Sequence, residues 1–256
     1  MFKRLRILIL LLILIIVIFS TISDRIYSTN WDNSLRVVVL PINGDGSAVA
    51  EQFVGDMSAD GLLPLERFFS EQAEQYGVHL DRPVRFTLGP AQRELPPTIE
   101  PGASAPRVMV WSLRLRYYSW RILRKLPGPT PDIAMFVLFH DPQRSPTLPH
   151  SLGLQKGLVG VVNAFADREM EGSNDVVIAH ELLHTLGATD KYGPDNLPLH
   201  PQGFAEPDRE PLYPQRYAEL MGGRVPLSPQ RAEIPESLRW VLIGPQSAQE
   251  IGWVKH

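Results

Sequence analysis

The sequence predicts one α/β domain that extends from about residue 35 to the end of the chain. The first observation is the order of the elements, because segments with strand patterning alternate with segments with helical patterning. The second is the segment 133–139, whose seven consecutive apolar residues are typical of a strand buried on both faces. The third is the composition, since 44% hydrophobic and 21% charged residues are typical of a folded globular protein.

Strand and helix patterns follow one another along this domain. Four segments have strand patterning, namely residues 35–40, 83–88, 133–139 and 157–165. Four have helical patterning, namely residues 63–76, 108–126, 175–186 and a short segment near Ala248. Pro41 is expected to end the first strand, and two glycines in the segment 157–165 favour an edge position for the last strand. Proline-rich segments predict irregular loops at residues 91–105 and 194–235.

The N-terminus has the pattern of a membrane anchor. An uninterrupted apolar run at residues 7–19 follows Lys3, Arg4 and Arg6. As a helix this run would span about 20 Å, which is short for a transmembrane helix and normal for the core of a signal peptide. Cleavage after Ser23 is one alternative. An uncleaved signal anchor, a single transmembrane helix, is favoured because the basic side chains can extend the span by snorkelling.

The chain therefore divides into a signal anchor with its flanks at residues 1–27, a polar tether at 28–34 and the domain at 35–256. Basic residues next to an apolar span stay in the cytoplasm, which places the domain in the bacterial periplasm or outside the cell, or secretes it if the anchor is cleaved. The formal charge of −3 excludes a strong overall attraction to nucleic acid. The absence of cysteine excludes thiolate nucleophiles and cysteine metal sites.

Basic residues on the predicted helix at 108–126 allow two interpretations. They are Arg114, Arg116, Arg121, Arg124 and Lys125. They could contact an anionic membrane surface. The favoured interpretation is a solvated outer face on a helix that covers the sheet.

The residues with metal chemistry lie on the predicted helix at 175–186 and just after it. His180 and His184 are four residues apart, so both imidazoles project from one helix face and can share a zinc ion. Glu181 can act as general base toward a zinc-activated water without being a ligand. Gly187 permits a left-handed turn that ends the helix, and Asp190 is then placed as the third ligand. By chance, the His-Glu-x-x-His spacing is expected only about 0.01 times in a chain of this composition.

This pattern, H-E-x-x-H-x-x-G-x-x-D at residues 180–190, resembles the zinc motif of metzincin-type peptidases in the variant with aspartate as third ligand, as in snapalysin-like enzymes. Residues 186–192 are similar to the immune inhibitor A family of secreted bacterial peptidases. Residues 219–223 resemble the methionine-containing turn that metzincins place beneath the zinc, with Met221 as its base.

The resemblance implies a zincin-like fold, in which a mixed twisted sheet carries an antiparallel edge strand, here residues 157–165. In that family the edge strand pairs with an extended peptide above the zinc. The implied activity is hydrolysis of a peptide or protein substrate, in which Glu181 takes a proton from water and returns it to the leaving amine. The implied cofactor is Zn²⁺, held by His180, His184 and Asp190.

Three alternatives stay open from the sequence. The same fold could be a catalytically silent zinc-binding interaction domain, although a purely structural site does not need Glu181. The third ligand could be a distant glutamate, either Glu206, Glu210 or Glu219. The group that stabilises the oxyanion could be Tyr192, Tyr217 or Arg224.

Overall fold

A five-stranded mixed sheet forms the centre of the part of the chain that the computed structural model describes, which is residues 30–100, 102–155 and 158–254. Its strands are β1 (Leu35–Asn43), β2 (Val84–Leu88), β3 (Ile133–His140), β4 (Leu152–Leu154) and β5 (Val159–Phe165). The order across the sheet is β2-β1-β3-β5-β4, in which only β4 is antiparallel to its neighbour. The prediction of one α/β domain with a mixed sheet is confirmed.

The central strands behave as their apolar sequences predict, with one extension. All eight residues of β3 are buried between β1 and β5. β1 continues through Pro41 to Asn43, although Pro41 was expected to end it. Proline is compatible with the strand at this position because its nitrogen faces the side of β1 on which β2 lies. β2 has already ended there, since its last residue, Leu88, pairs with Val39. Proline therefore removes no hydrogen bond from the ladder.

Within the described residues, five α-helices accompany the sheet: α1 (Ala48–Asp56), α2 (Leu63–Gln75), α3 (Ala105–Leu123), α4 (Glu171–Leu186) and α5 (Pro245–Glu250). Alternate strand residues point to opposite faces, so Val37 and Val39 pack with α2 and α4 on one face. Val38 and Leu40 pack with α3 on the other face. Short strands follow within or beside the predicted loop at 194–235: β6 (Ala218–Glu219), β7 (Val225–Ser228), β8 (Arg231–Glu233) and β9 (Val241–Leu242).

The expected position of the edge strand is wrong. β5, which accounts for most of the predicted segment 157–165, is parallel to β3 and lies inside the sheet. The antiparallel edge strand is β4, whose three residues are too few to show a periodic pattern. Gly160 does not mark an edge, because a Cβ atom there would lie 2.5 Å from Sδ of Met135. It permits close packing between two inner strands; Gly157 lies outside the described residues.

The folded domain begins before the predicted boundary at Leu35. Trp31, which was assigned to a polar tether, is 8% exposed and belongs to the main core. Its indole N–H donates a hydrogen bond of 2.7 Å to the carbonyl of Ile251, and its ring meets Trp253 edge to face at 5.7 Å. The predicted anchor at residues 1–27 lies outside the described residues. None of the helices that the structure describes combines the length and apolar composition needed to cross a bilayer.

Replacing Trp31 should show whether this boundary holds in solution. Trp31→Ala is expected to lower the free energy of unfolding by about 3–5 kcal/mol, because it empties a buried aromatic site. Trp240→Ala, at a tryptophan that is 41% exposed, is the control and should cost much less. The measurement is denaturant unfolding of the full chain, and wild-type stability of Trp31→Ala would show that the domain begins after this residue.

A cavity of about 1130 Å³ lies between α1, α2, the first half of α4 and residues 237–242. Asp175 of α4 is among the residues that line it. Burial, reinforced by the negative charge of Glu171, raises the pKa of Asp175 to about 7. At pH values above the ordinary range of an aspartate, the unfolded chain releases this proton, whereas the folded chain keeps it until about pH 7. The stability contribution of Asp175 therefore falls as the pH rises from about 4 to about 7.

Asp175→Asn should remove this pH dependence, because asparagine stays neutral. We expect the variant to be more stable than wild type at pH 8, by about 1–4 kcal/mol, and equally stable near pH 4. Thermal melts at several pH values provide the measurement. Asp81→Asn changes a fully solvated carboxylate and serves as the control. A difference between Asp175→Asn and wild type that does not grow with pH would contradict the assignment.

Candidate metal centre

Helix α4 presents His180 and His184 on one face, and both rings are oriented by backbone carbonyls. The Nδ1 atom of His180 lies 2.9 Å from the carbonyl oxygen of Leu220, and Nδ1 of His184 lies 2.9 Å from that of Ala188. A carbonyl oxygen can only accept, so each Nδ1 carries the proton and donates it. Each Nε2 is therefore the ring atom that faces Asp190, and when it is unprotonated its lone pair can bind a metal ion.

The chain after α4 brings a carboxylate to these two nitrogens. Gly187 ends the helix with a φ of 108°, a left-handed conformation that glycine adopts without strain. Oδ1 of Asp190 then lies 3.2 Å from Nε2 of His180 and 3.1 Å from Nε2 of His184. Among the residues that the structure describes, these three form the group able to hold a metal ion.

The spacing of this group fits a small tetrahedral ion. Ligand atoms at about 2.0–2.1 Å from a tetrahedral zinc ion lie about 3.3 Å from one another. The separations of 3.2 and 3.1 Å between Oδ1 of Asp190 and the Nε2 atoms of His180 and His184 are close to that value. Burial would raise the pKa of Asp190, but hydrogen bonds with His180 and His184 outweigh it and hold the pKa well below its ordinary value. Asp190 is therefore a carboxylate, the ionised form that a metal ligand requires.

Glu181 points into the same region and lacks a partner for one of its oxygens. The side chain is 6% exposed, and its Oε2 has no hydrogen-bond partner. Burial raises the pKa of Glu181, although the nearby histidines oppose the shift and the backbone N–H of Gly153 donates to the carboxylate. A buried oxygen without a partner costs about 1–3 kcal/mol. Such a cost is typical of a group that is reserved for a ligand or a reacting water.

Strand β4 lies directly against α4 at this point. A Cβ atom on Gly153 would lie 2.5 Å from both the carbonyl oxygen of Glu181 and Cβ of His184. Glycine at residue 153 therefore permits the edge of the sheet to approach the two histidines. The sequence carries no clear signal for this residue, because Leu152-Gly-Leu154 is too short to stand out as a strand.

The turn at residues 220–222 packs against α4 near His180. Met221 is fully buried, and its carbonyl oxygen accepts a hydrogen bond of 2.8 Å from the backbone N–H of Lys191. The neighbouring carbonyl of Leu220 orients His180. The predicted methionine-containing turn thus contacts His180 through its backbone.

The distant glutamates do not join the cluster. Glu206 forms an ion pair with Arg216, and Glu210 is exposed. Glu219 is fully buried and its carboxylate accepts hydrogen bonds from the backbone N–H groups of Gly222 and Gly244 and from the hydroxyl of Ser247. These three glutamates therefore lie outside the group of His180, His184 and Asp190 whose ligand atoms are close enough to hold a metal ion.

Of the three candidates for oxyanion stabilisation, Tyr192 is closest to the cluster. Its ring stacks on His180 with centroids 6.3 Å apart, and its hydroxyl is hydrogen-bonded with Asp190. Burial and the charge of Asp190 raise the pKa of Tyr192 to about 12, so the phenol keeps its proton at neutral pH. Arg224 lies near enough for its charge to oppose that shift. Tyr217 instead packs on Trp240 and lines the cavity beside α2.

A comparison of the chain with models of known protein families finds no match, and a search of curated proteins also finds none.

Metal binding by the full chain should depend on all three side chains. We expect one zinc ion per chain for wild type, and loss of that ion in His184→Ala and in Asp190→Ala, because two ligands do not hold zinc tightly. His79→Ala removes an exposed histidine and is the matched control. Equilibrium dialysis followed by elemental analysis measures the stoichiometry. Full occupancy after His184→Ala would show that the metal binds elsewhere.

Proposed function

We propose that this chain is a zinc-dependent peptidase of the metzincin type, anchored in the membrane by residues 1–27 with its domain outside the cytoplasm. The observation that carries the proposal is the unpaired, buried Oε2 of Glu181 beside the three side chains able to hold a metal ion. A site that only stabilises the fold would fill its coordination positions and would not need a buried acid without a partner.

Each residue of the site would have a separate role in the reaction. His180, His184 and Asp190 would hold the ion, and Glu181 would take a proton from the attacking water and deliver it to the leaving amine. The phenol of Tyr192, protonated at neutral pH, would donate a hydrogen bond to the oxygen that becomes negatively charged. When bound, zinc supplies a Lewis acid that polarises a carbonyl and makes water nucleophilic at neutral pH.

The substrate would be a peptide or protein segment in extended conformation. β4 ends the five-stranded sheet of the described residues and lies against the helix that carries the histidines. An extended peptide added alongside β4 would hydrogen-bond to its free edge and place its backbone near Glu181. This arrangement favours recognition of the peptide backbone. Selectivity among substrate side chains would come from pockets beside the bound peptide.

Glu181→Gln separates an enzyme from a binding domain. The substitution keeps size and hydrogen-bonding capacity but cannot accept a proton, so zinc binding and the melting temperature should be unchanged. General base catalysis contributes about 10²–10⁴-fold, and cleavage of a peptide should fall by at least about 100-fold. The measurement is the turnover of a peptide selected from a library cleaved by the zinc-loaded full chain.

Glu74→Gln, at an exposed glutamate of α2, is the matched control and should retain wild-type turnover. Equal cleavage by wild type and Glu181→Gln would refute the assigned mechanism. Tight zinc binding without cleavage of any peptide in a broad library would instead support a silent zinc-binding domain.

A further inference from the structure

Helix α3 has two apolar faces, and only one of them is covered. Residues Trp111, Leu115, Tyr118 and Ile122 are buried against the sheet. On the opposite side the helix exposes Met109, Leu113, Tyr117 and Trp120, with 63%, 55%, 62% and 51% of each residue accessible. These four residues, called the outer stripe below, are spaced by four, four and three positions and therefore form one line along the helix.

The outer stripe differs from the solvated polar face that the sequence was expected to place here. A helix that covers a sheet normally directs polar residues to solvent. Single exposed apolar residues are ordinary, whereas a continuous apolar line is typical of an interaction surface. Two of its members, Tyr117 and Trp120, are in contact with ring centroids 5.8 Å apart. Tyrosine and tryptophan are the residue types enriched where a protein meets the interface of a bilayer.

All the charged residues of α3 and of the segments directly before and after it in sequence are basic. Between Glu100 and Asp132 the sequence contains six basic residues and no acidic residue. Arg121 is paired with Glu94 from a neighbouring loop. The exposed cations that flank the stripe are Arg107, Arg114, Arg124 and Lys125. The guanidinium of Arg124 lies 4.6 Å from the ring centroid of Trp120, so the positive charge and the aromatic surface are contiguous.

We propose that α3 is a membrane-contact helix whose outer stripe enters the interface of an anionic lipid bilayer. Apolar side chains along one line with cations beside them define a helix that lies parallel to a membrane surface. The guanidinium groups would pair with headgroup phosphates while the stripe contacts the acyl boundary. This proposal uses residues 105–125 alone and does not depend on zinc or on peptidase activity.

Other partners fit the surface less well. A second copy of the chain docked through the same face would bring Arg114 and Arg124 close to like charges of its partner, which is unfavourable. A nucleic acid would neutralise the cations but would leave Met109 and Leu113 without an apolar environment. An anionic bilayer satisfies both the apolar and the charged components.

The absence of cysteine allows a direct test with one introduced thiol. Leu113→Cys in the full chain is labelled with an environment-sensitive fluorophore, and Ile234→Cys is labelled in the same way as a control at another exposed apolar position. Both proteins are reconstituted into vesicles of phosphatidylcholine alone or mixed with phosphatidylglycerol. Because the N-terminal segment is present in every sample, the comparison reports only the effect of the anionic lipid.

We expect the emission of the label at residue 113 to shift to shorter wavelength in the anionic vesicles, with no shift for the label at residue 234. Adding Arg114→Gln and Arg124→Gln should weaken this docking about 30-fold and reverse the shift, as should high salt. An unchanged emission at residue 113 in anionic vesicles would overturn the proposal. So would disulfide-linked dimers of the unlabelled Leu113→Cys protein, or a shift of the labelled protein caused in detergent by an oligonucleotide.

Discussion

The arrangement of the candidate centre depends on two backbone carbonyls that fix the histidine rings. The carbonyl of Ala188 comes from the segment immediately after α4, whereas that of Leu220 comes from more than thirty residues further along the chain. Each carbonyl accepts a hydrogen bond from the Nδ1–H group, so that Nε2 is the ring atom that faces Asp190. The local helix motif therefore places the histidines on one face, but only the returning chain sets their tautomers and orientation.

The returning chain is held by charged groups that are themselves buried. Lys191 is 4% exposed, and its ammonium group donates to the carbonyl of Thr189 and to the carboxylate of Glu250 in α5. Glu219 is fully buried and accepts hydrogen bonds from the backbone N–H groups of Gly222 in its own turn and of Gly244 in a later segment. Buried polar groups that are fully hydrogen-bonded are costly to separate. They favour one position for the loop that carries Asp190 and for the turn that carries Leu220.

The sequence predicts well what local patterns encode. The spacing of His180 and His184 is a property of one helix, and the burial of β3 follows from an unbroken apolar run. The sequence does not predict features that depend on contacts between residues far apart in the chain. The sequence has no clear helical period over α1, because only Ala50 and Val54 are buried and Phe53 packs partly against the core. The choice of Asp190 over distant glutamates, and the burial of Trp31 against residues 220 positions later, depend on packing that no short window contains.

The shortness of β4 limits how far identical chains can pair along this edge of the sheet. A long, flat edge strand presents many unpaired backbone groups and can template pairing between identical chains, which leads to aggregation. β4 has only three residues, and Gly153 at its centre lies against α4, which covers one face of the strand. The exposed edge can thus offer a few hydrogen bonds to one extended segment, and it is too short to begin a continuous intermolecular sheet.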